Sequence, residues 1–313
     1  DHRSSDRGET VLHVRDLVKV YPGPVTALRG VSLELGEGMF GLLGPNGAGK
    51  STLMKILAGV LEPTSGSVEL DGRDVLAEPS FVWRRLGYLP QEFGFYPHLT
   101  GRKMLEHLLR LKGVEAPDGM DALCGELLGL VNMADAADRK VQEYSGGMRQ
   151  RLGIAQALAG DPDLIIVDEP TAGLDPEERN RFYRLLAELA EDRIVLLSTH
   201  IVEDVSVLCR RFAVIHEGRL LRETSPDEAR REVAGEVYDG QVGADEARAL
   251  EGDPRVIRSV VSGGRHHVRL HAPDGDVPEG FEAVEPTLED AYLITIRAGD
   301  GRSAAAAAAG GAA

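Results

Sequence analysis

Cysteine is nearly absent from this chain: 313 residues hold two, Cys124 and Cys209, far apart and without Cys-x-x-Cys spacing. That scarcity argues against a disulfide framework or a cysteine zinc site and fits a reducing compartment. Long apolar runs are missing too; none approaches the ~18–20 residues that a membrane-spanning helix requires. No charged-then-apolar opening reads as a signal peptide. Work at a membrane would therefore need another chain as anchor. Positive charge is in deficit, with 35 Lys and Arg against 51 Asp and Glu, a net charge of −16. Nucleic-acid binders draw affinity from neutralising phosphates, so no nucleic-acid partner is expected. The chain begins at Asp1 rather than Met, which leaves room for a removed segment, and the polar residues 1–10 are expected to be a flexible N-terminus.

With 42% apolar residues the chain can bury a full core, as one large domain or one large and one small. Residues 11–20 are rich in Val and Leu and read as a strand. Residues 31–35 alternate apolar and polar, and Val68-Glu69-Leu70 ends at the turn signal Asp71-Gly72. These predict a small antiparallel sheet. The continuous apolar run 39–43 reads as a strand covered on both faces. Leu53, Met54, Ile56 and Leu57 mark one side of a following helix that Gly59 can cap. Residues 100–138 turn helical, with a break at Pro117. Buried-strand patterns return at 164–167, 194–197 and 212–215, around a helical stretch at 179–190, which predicts a mostly parallel sheet with covering helices. From about Ser225 the pattern changes. Two apolar segments flank Ser262-Gly263-Gly264-Arg265 as a hairpin, and a short helix is expected at 287–296. Residues 298–313, with six consecutive alanines and several glycines, are expected to be a disordered tail.

Gly44-Pro45-Asn46-Gly47-Ala48-Gly49-Lys50-Ser51, followed by Thr52, fits G-x-x-x-x-G-K-[ST] between a strand and a helix. Glycines let the backbone curl so that successive N–H groups face phosphate oxygens, and the helix adds its positive end. Lys50 is suited to bridge β- and γ-phosphates, and Ser51 to hold Mg²⁺. A second signal is the apolar strand ending in Asp168-Glu169. Both carboxylates would stand at the carboxyl edge of the sheet, Asp168 toward Mg²⁺ and Glu169 toward an attacking water. A third is Ser145-Gly146-Gly147 opening a helix: one hydroxyl, free N–H groups and no side chain in the way of an anion.

These motifs, in this order and spacing, resemble the nucleotide-binding domain of ABC ATPases. Smaller marks agree over residues 11–218. Tyr21 resembles the aromatic that stacks on adenine. Gln91 resembles the glutamine that reports Mg²⁺ to the helical subdomain. Gly173-Leu174-Asp175 resembles the D-loop, and His200, in Ser198-Thr199-His200, the switch histidine at the γ-phosphate. Tyr144 and Met148 depart from the commoner LSGGQ pattern, while the Ser and both Gly are kept.

The resemblance implies an α/β fold: a P-loop ABC ATPase core (residues 11–224) of mixed or parallel sheet with covering helices, a small antiparallel β-subdomain and a helical subdomain at about 92–144. A small C-terminal α+β domain (225–297) follows. It implies ATP and Mg²⁺ as cofactors, with Lys50, Gln91, Glu169 and His200 as catalytic residues. Ser51, Gln91 and Asp168 would be placed at the metal, and Asp175 with the nucleotide-binding residues. A head-to-tail dimer would sandwich ATP between one phosphate loop and the partner's Ser145–Gly147 segment.

Glu285-Pro286-Thr287-Leu288-Glu289-Asp290-Ala291-Tyr292 and the 170–176 and 198–204 runs resemble drug- and antibiotic-export (ABC-2 type) ATPases. An integral membrane permease subunit at the cytoplasmic face of the membrane would be the partner. The aromatic stretch 93–96 is either core or part of the groove that receives that permease. A soluble ABC ATPase acting on ribosomes or nucleic acid, and an ABC importer ATPase, are the alternative readings. A non-hydrolysing scaffold would be expected to lack Glu169 or His200.

Overall fold

The computed structural model describes residues 10–23, 25–91 and 94–310, without the side chains of residues 79, 80 and 301–310. The expected N-terminal flexibility and Phe93 lie outside the described residues.

The chain opens with the antiparallel strands β1 (Leu12–Tyr21) and β2 (Val25–Leu35), then β3 (Gly38–Leu43), which runs into helix α1 (Lys50–Leu57). Next come β4 (Ser65–Leu70), the two-residue β5 (Arg73–Asp74), α2 (Pro79–Arg85) and β6 (Leu86–Leu89). Helices α3 (Gly101–Lys112), α4 (Met120–Leu130) and α5 (Gly146–Leu158) follow. The α/β alternation then resumes with β7 (Leu164–Asp168), α6 (Pro176–Leu189), β8 (Ile194–Thr199), α7 (Val202–Leu208), β9 (Arg211–His216) and β10 (Arg219–Thr224).

The last segment is α8 (Pro226–Glu232), β11 (Val237–Val242), α9 (Ala244–Ala249), β12 (Val256–Ser262), β13 (Arg265–His271), β14 (Phe281–Ala283) and α10 (Leu288–Gly310).

The central sheet has the order β10-β9-β3-β8-β7-β6, parallel except for the β10 edge. Its inner strands β3, β8 and β7 are almost wholly apolar because both faces are covered, whereas the β10 edge carries Arg219, Arg222 and Glu223. Side chains alternate between two cores. Met39, Leu43, Ile165, Val167, Val195 and Leu197 face the helical side, where α3, α4 and α5 also pack. Phe40, Leu42, Leu164, Ile166, Ile194 and Leu196 face α1 and the antiparallel sheet β2-β1-β4-β5. Each such aliphatic side chain contributes about 1.5–3 kcal/mol on burial, so slipping a strand by one residue would exchange the two cores. The carboxyl ends of β3, β6, β7 and β8 are thereby held side by side, and the site residues follow directly from them.

The C-terminal sheet has the order β12-β13-β11-β14. Gly263 and Gly264, at φ 59° and 77°, make the two-residue turn of the β12–β13 hairpin, a left-handed pair that suits glycine. The helix expected at 287–296 is longer than expected: α10 spans 23 residues, from Leu288 through the alanine run to Gly310, while residues 311–313 of the expected tail lie outside the described residues. Alanine is the best helix former, so a helix started on a packed segment continues through it without needing a core of its own. The start is well anchored. Asp290 Oδ2 accepts from Thr287 N and Oγ1 (both 2.8 Å) and from the Arg269 guanidinium (2.8 Å), and Asp290 is buried. Asp290→Ala would leave Arg269 without this partner, and about 2–4 kcal/mol of stability should be lost. Denaturant unfolding of the full chain would measure it.

Candidate active site

The loop between β3 and α1 is shaped by glycines. Gly49 sits at φ 107°, and a Cβ there would come 2.5 Å from the Ala27 carbonyl oxygen; at Gly44 it would come 2.3 Å from the Ile215 oxygen. Gly47, at φ 81°, has nothing within 4 Å on that side. Glycine at 44 and 49 thus lets the loop pack onto β2 and β9, while at 47 only the left-handed backbone requires it. Ala48 is buried beneath the loop, and its carbonyl accepts from Gly218 N–H (2.9 Å). Pro45 is half-buried and Asn46 is exposed. Ser51 and Thr52 lie in the first turn of α1, and Tyr21 stands beside them with its hydroxyl 3.4 Å from Thr52 Oγ1.

Four residues from four sheet ends meet. Lys50, only 4% exposed, donates from Nζ to the Gly44 oxygen (2.8 Å) and the Pro45 oxygen (3.2 Å) and pairs with Glu169 Oε1 at 3.3 Å. Glu169, 8% exposed, accepts from Gln91 Nε2 at Oε2 (3.1 Å), and His200 Nδ1 lies 3.2 Å from the same oxygen. Its backbone is left-handed (φ 49°), unusual for a glutamate, and its N–H is held by the Ser198 oxygen at 2.8 Å. Strain of this kind persists where the surroundings over-determine it. The network can hold a carboxylate ready to accept a proton, within reach of a buried ammonium.

Asp168 is buried, and among the described residues its Oδ1 has no hydrogen-bond partner; neither has the buried Ser198 Oγ on the adjacent strand. A cation beside Asp168 would satisfy that oxygen. Among the described residues no cluster of three or more His, Cys, Asp or Glu could hold a metal by itself. This suits an ion shared with phosphate and a serine hydroxyl rather than an all-protein cage. Burial first, then the Asp168 charge, pushes the Tyr88 phenol up to about 12, which leaves Tyr88 neutral beside β7.

The Ser-Gly-Gly segment is built elsewhere. Ser145 caps α5, accepting from Met148 N–H (3.2 Å), and a Cβ on Gly147 would strike Glu178 Oε2 at 2.4 Å. A Cβ on Gly146 would meet the Gly173 oxygen and Leu174 Cδ2 only at ordinary contact distance, 4.0 Å. Asp175 caps α6 through Glu178 N–H (2.9 Å). Among the described residues, Ser145, Gly146 and Gly147 make no hydrogen bond or ion pair with the phosphate loop or Glu169. Of the aromatic stretch, Phe95 packs against the helical-side core while Tyr96 is exposed.

Several residues organise the site through contacts that the sequence pattern does not assign. Gln156 of α5 donates to the Tyr88 oxygen (2.8 Å), joining the Ser-Gly-Gly helix to the strand that leads to Gln91. Thr171, Tyr183 and Thr199 all donate to Asp204. Their sequence separations follow no local period. Tyr144 ties its hydroxyl to the Ala136 oxygen (2.7 Å), and its ring fits only because residue 101 is glycine.

The fold and these residues define a phosphate-loop nucleotide-binding ATPase. Residues 28–172 match the ABC transporter family. The Nod factor export ATP-binding protein I of Burkholderia orbicola (strain AU 1054) is 37% identical over 240 residues, 76% of each chain. The daunorubicin/doxorubicin resistance ATP-binding protein DrrA of Streptomyces peucetius is 34% identical over 313 residues, 93% of this chain and 94% of its own. A dimeric ATP-binding cassette in a post-hydrolysis state bound to ADP and Pi superimposes with TM-score 0.62 at 27% identity, covering 68% of this chain and 98% of that one. This chain belongs to the ABC transporter family as an ATP-binding, ATPase-class subunit.

Gly49→Ala should lower the melting temperature sharply, adding a contact with backbone to left-handed strain of about 1–2 kcal/mol. Gly47→Ala carries the strain alone and should cost less. Thermal unfolding of the two variants side by side measures the difference.

Proposed function

We propose that this chain hydrolyses ATP at a head-to-tail dimer interface and so drives export through a separate membrane-spanning permease. The observation that carries the catalytic part is the meeting of Lys50, Gln91, Glu169 and His200 around one buried carboxylate. In this reading Lys50 exchanges its two loop carbonyls for β- and γ-phosphate oxygens, and Tyr21 stacks on adenine. Within residues 44–52, backbone N–H groups other than at Pro45, which has none, would face the phosphates. Mg²⁺, held by Ser51 and Asp168 with Gln91 beside it, would neutralise charge on the β- and γ-phosphates.

Glu169 takes a proton from water as the water oxygen bonds to the γ-phosphorus and the bond to the bridging oxygen of ADP breaks. His200 steadies the γ-phosphate. Ser145, Gly146, Gly147 and Asp175 of the opposing copy close the site. Ser145 and Asp175 spend their side chains on helix caps and not, among the described residues, on the phosphate loop of their own chain, and the dimeric cassette matched above supports closure by a second copy.

Export is supported by the relatives, one named for Nod factor export and one for drug resistance. No helix among the described residues is long and apolar enough to cross a membrane, so the permease would hold this chain at the cytoplasmic face. We assign its docking to a cavity of about 530 Å³ lined by Trp83, Arg84, Lys112, Val114 and Ala159. Trp83 is 52% exposed there, which is unusual for the only tryptophan of the chain. Burial pushes the Lys112 ammonium down to about 8, and it donates to the Ala159 oxygen (3.0 Å).

Two experiments test this. Glu169→Gln should keep ATP binding, lose about 10²–10⁴-fold in turnover and gain an ATP-stabilised dimer by light scattering; turnover at the parental rate would remove Glu169 as the base. Affinity purification from detergent-solubilised membranes should yield a stoichiometric multi-span protein, lost in Trp83→Asp at unchanged basal ATPase activity. Recovery with ribosomes or nucleic acid instead would overturn the export reading and leave the ATPase chemistry standing.

A further inference from the structure

Glu169 and His200 stand on loops that leave adjacent strands, and both loops are tied to one buried carboxylate. Asp204, in the first turn of α7, is fully buried at 0% exposure. Its Oδ2 accepts from Thr171 Oγ1 at 2.6 Å and from Thr199 Oγ1 at 2.8 Å, and its Oδ1 accepts from the Tyr183 hydroxyl at 2.5 Å. Thr171 is two residues beyond Glu169. Thr199 immediately precedes His200, and its Oγ1 also accepts from Ile201 N–H (2.9 Å), so hydrogen bonds bracket the histidine. Tyr183 belongs to α6, whose first turn Asp175 caps.

Among the described residues no cation pairs with Asp204; hydroxyls alone hold it. A carboxylate out of water is costly, and filling space here would be cheaper with an apolar side chain. What the charge adds is a single point toward which three hydroxyls, from three separate elements, must turn. Burial, reinforced by the Asp204 hydrogen bond and charge, pushes the Tyr183 phenol up, which keeps it a donor. Burial, with the Asp204 charge second, also pushes the Cys209 thiol up.

We propose that Asp204 is a positioning residue for ATP hydrolysis: through Thr171, Thr199 and Tyr183 it sets the Glu169 loop, the His200 loop and α6 in one register. The inference rests on the ATPase chemistry and needs no permease, so failure of the export reading leaves it intact. Glu169 depends on such bracing because its left-handed backbone is stable only while neighbours hold it. Among the described residues Asp204 makes no hydrogen bond of its own to the phosphate loop, and Thr199 touches only the loop's first residue, its carbonyl accepting from Gly44 N–H (3.4 Å), so the effect should fall mainly on turnover rather than on nucleotide binding.

The test is Asp204→Asn in the purified full chain, read as kcat, KM for ATP and affinity for a fluorescent nucleotide. Asparagine keeps the shape but turns an N–H₂ group toward hydroxyls that need an acceptor. Expected is a kcat loss of roughly 10–100-fold, as small misplacements of reacting groups produce, with KM and nucleotide affinity changed less than about 3-fold. Thr171→Val and Thr199→Val should each lower kcat, and adding Thr199→Val to Asp204→Asn should change kcat by less than about 2-fold, because both act through one bond. A folded Asp204→Asn at parental kcat overturns the proposal. So do losses that multiply in the double variant, or kcat and affinity that fall together with the folded fraction. If Asp204→Asn does not fold, Thr171→Val, Thr199→Val and Tyr183→Phe decide: parental kcat in all three ends the proposal.

Discussion

The pairing of Lys50 with Glu169, an ammonium and a carboxylate both nearly removed from water, is the constraint on which the rest of this structure depends. Neither charge is stable there alone, since taking an ion out of water costs several kcal/mol. Lys50 is satisfied by two loop carbonyls besides Glu169, and Glu169 by Gln91 and His200. Each of those partners is fixed by the end of a different strand. The site is therefore a property of the whole sheet, and a shift of any one of β3, β6, β7 or β8 would disturb all four residues.

That dependence explains the tightness of the packing beneath the phosphate loop. A Cβ at Gly44 or Gly49 would overlap a backbone oxygen, so loop and strands are in contact without slack. Small movements of neighbouring elements are transmitted under such conditions, because close-packed interiors yield little. The same holds for Asp204, where one carboxylate joins the loops after β7 and β8 to α6. Catalysis by positioned groups depends on that stiffness, since the donors must stand where charge develops before it does.

The C-terminal segment joins this framework through α10. The helix packs on α7, α8, β9 and β10, and His216 at the end of β9 meets Asp300 across 2.6 Å. His216 directly precedes Glu217 and Gly218, and Gly218 donates to the Ala48 oxygen of the phosphate loop. A continuous line of contacts thus runs from α10 to the loop, and α10 also lies against the helix that carries Asp204.

The local parts of the site are legible in residue pattern alone. Glycine spacing specified the phosphate loop, because left-handed backbone and close approach select glycine directly. Apolar runs ending in Asp168-Glu169 and in Ser198-Thr199-His200 specified strands with chemistry at their ends, because burial on both faces leaves an unmistakable pattern. The alanine run at the end shows the limit of composition: it offers no side chains to build a core, yet helix propensity acting on a packed start carries α10 to Gly310.

Which of these residues meet depends on long-range packing. Asp204 is 33 residues from Thr171 and 21 from Tyr183, and Gln91 is 78 from Glu169. No local period links such positions. Their meeting follows from strand order, and strand order is set by how the two cores share the faces of one sheet.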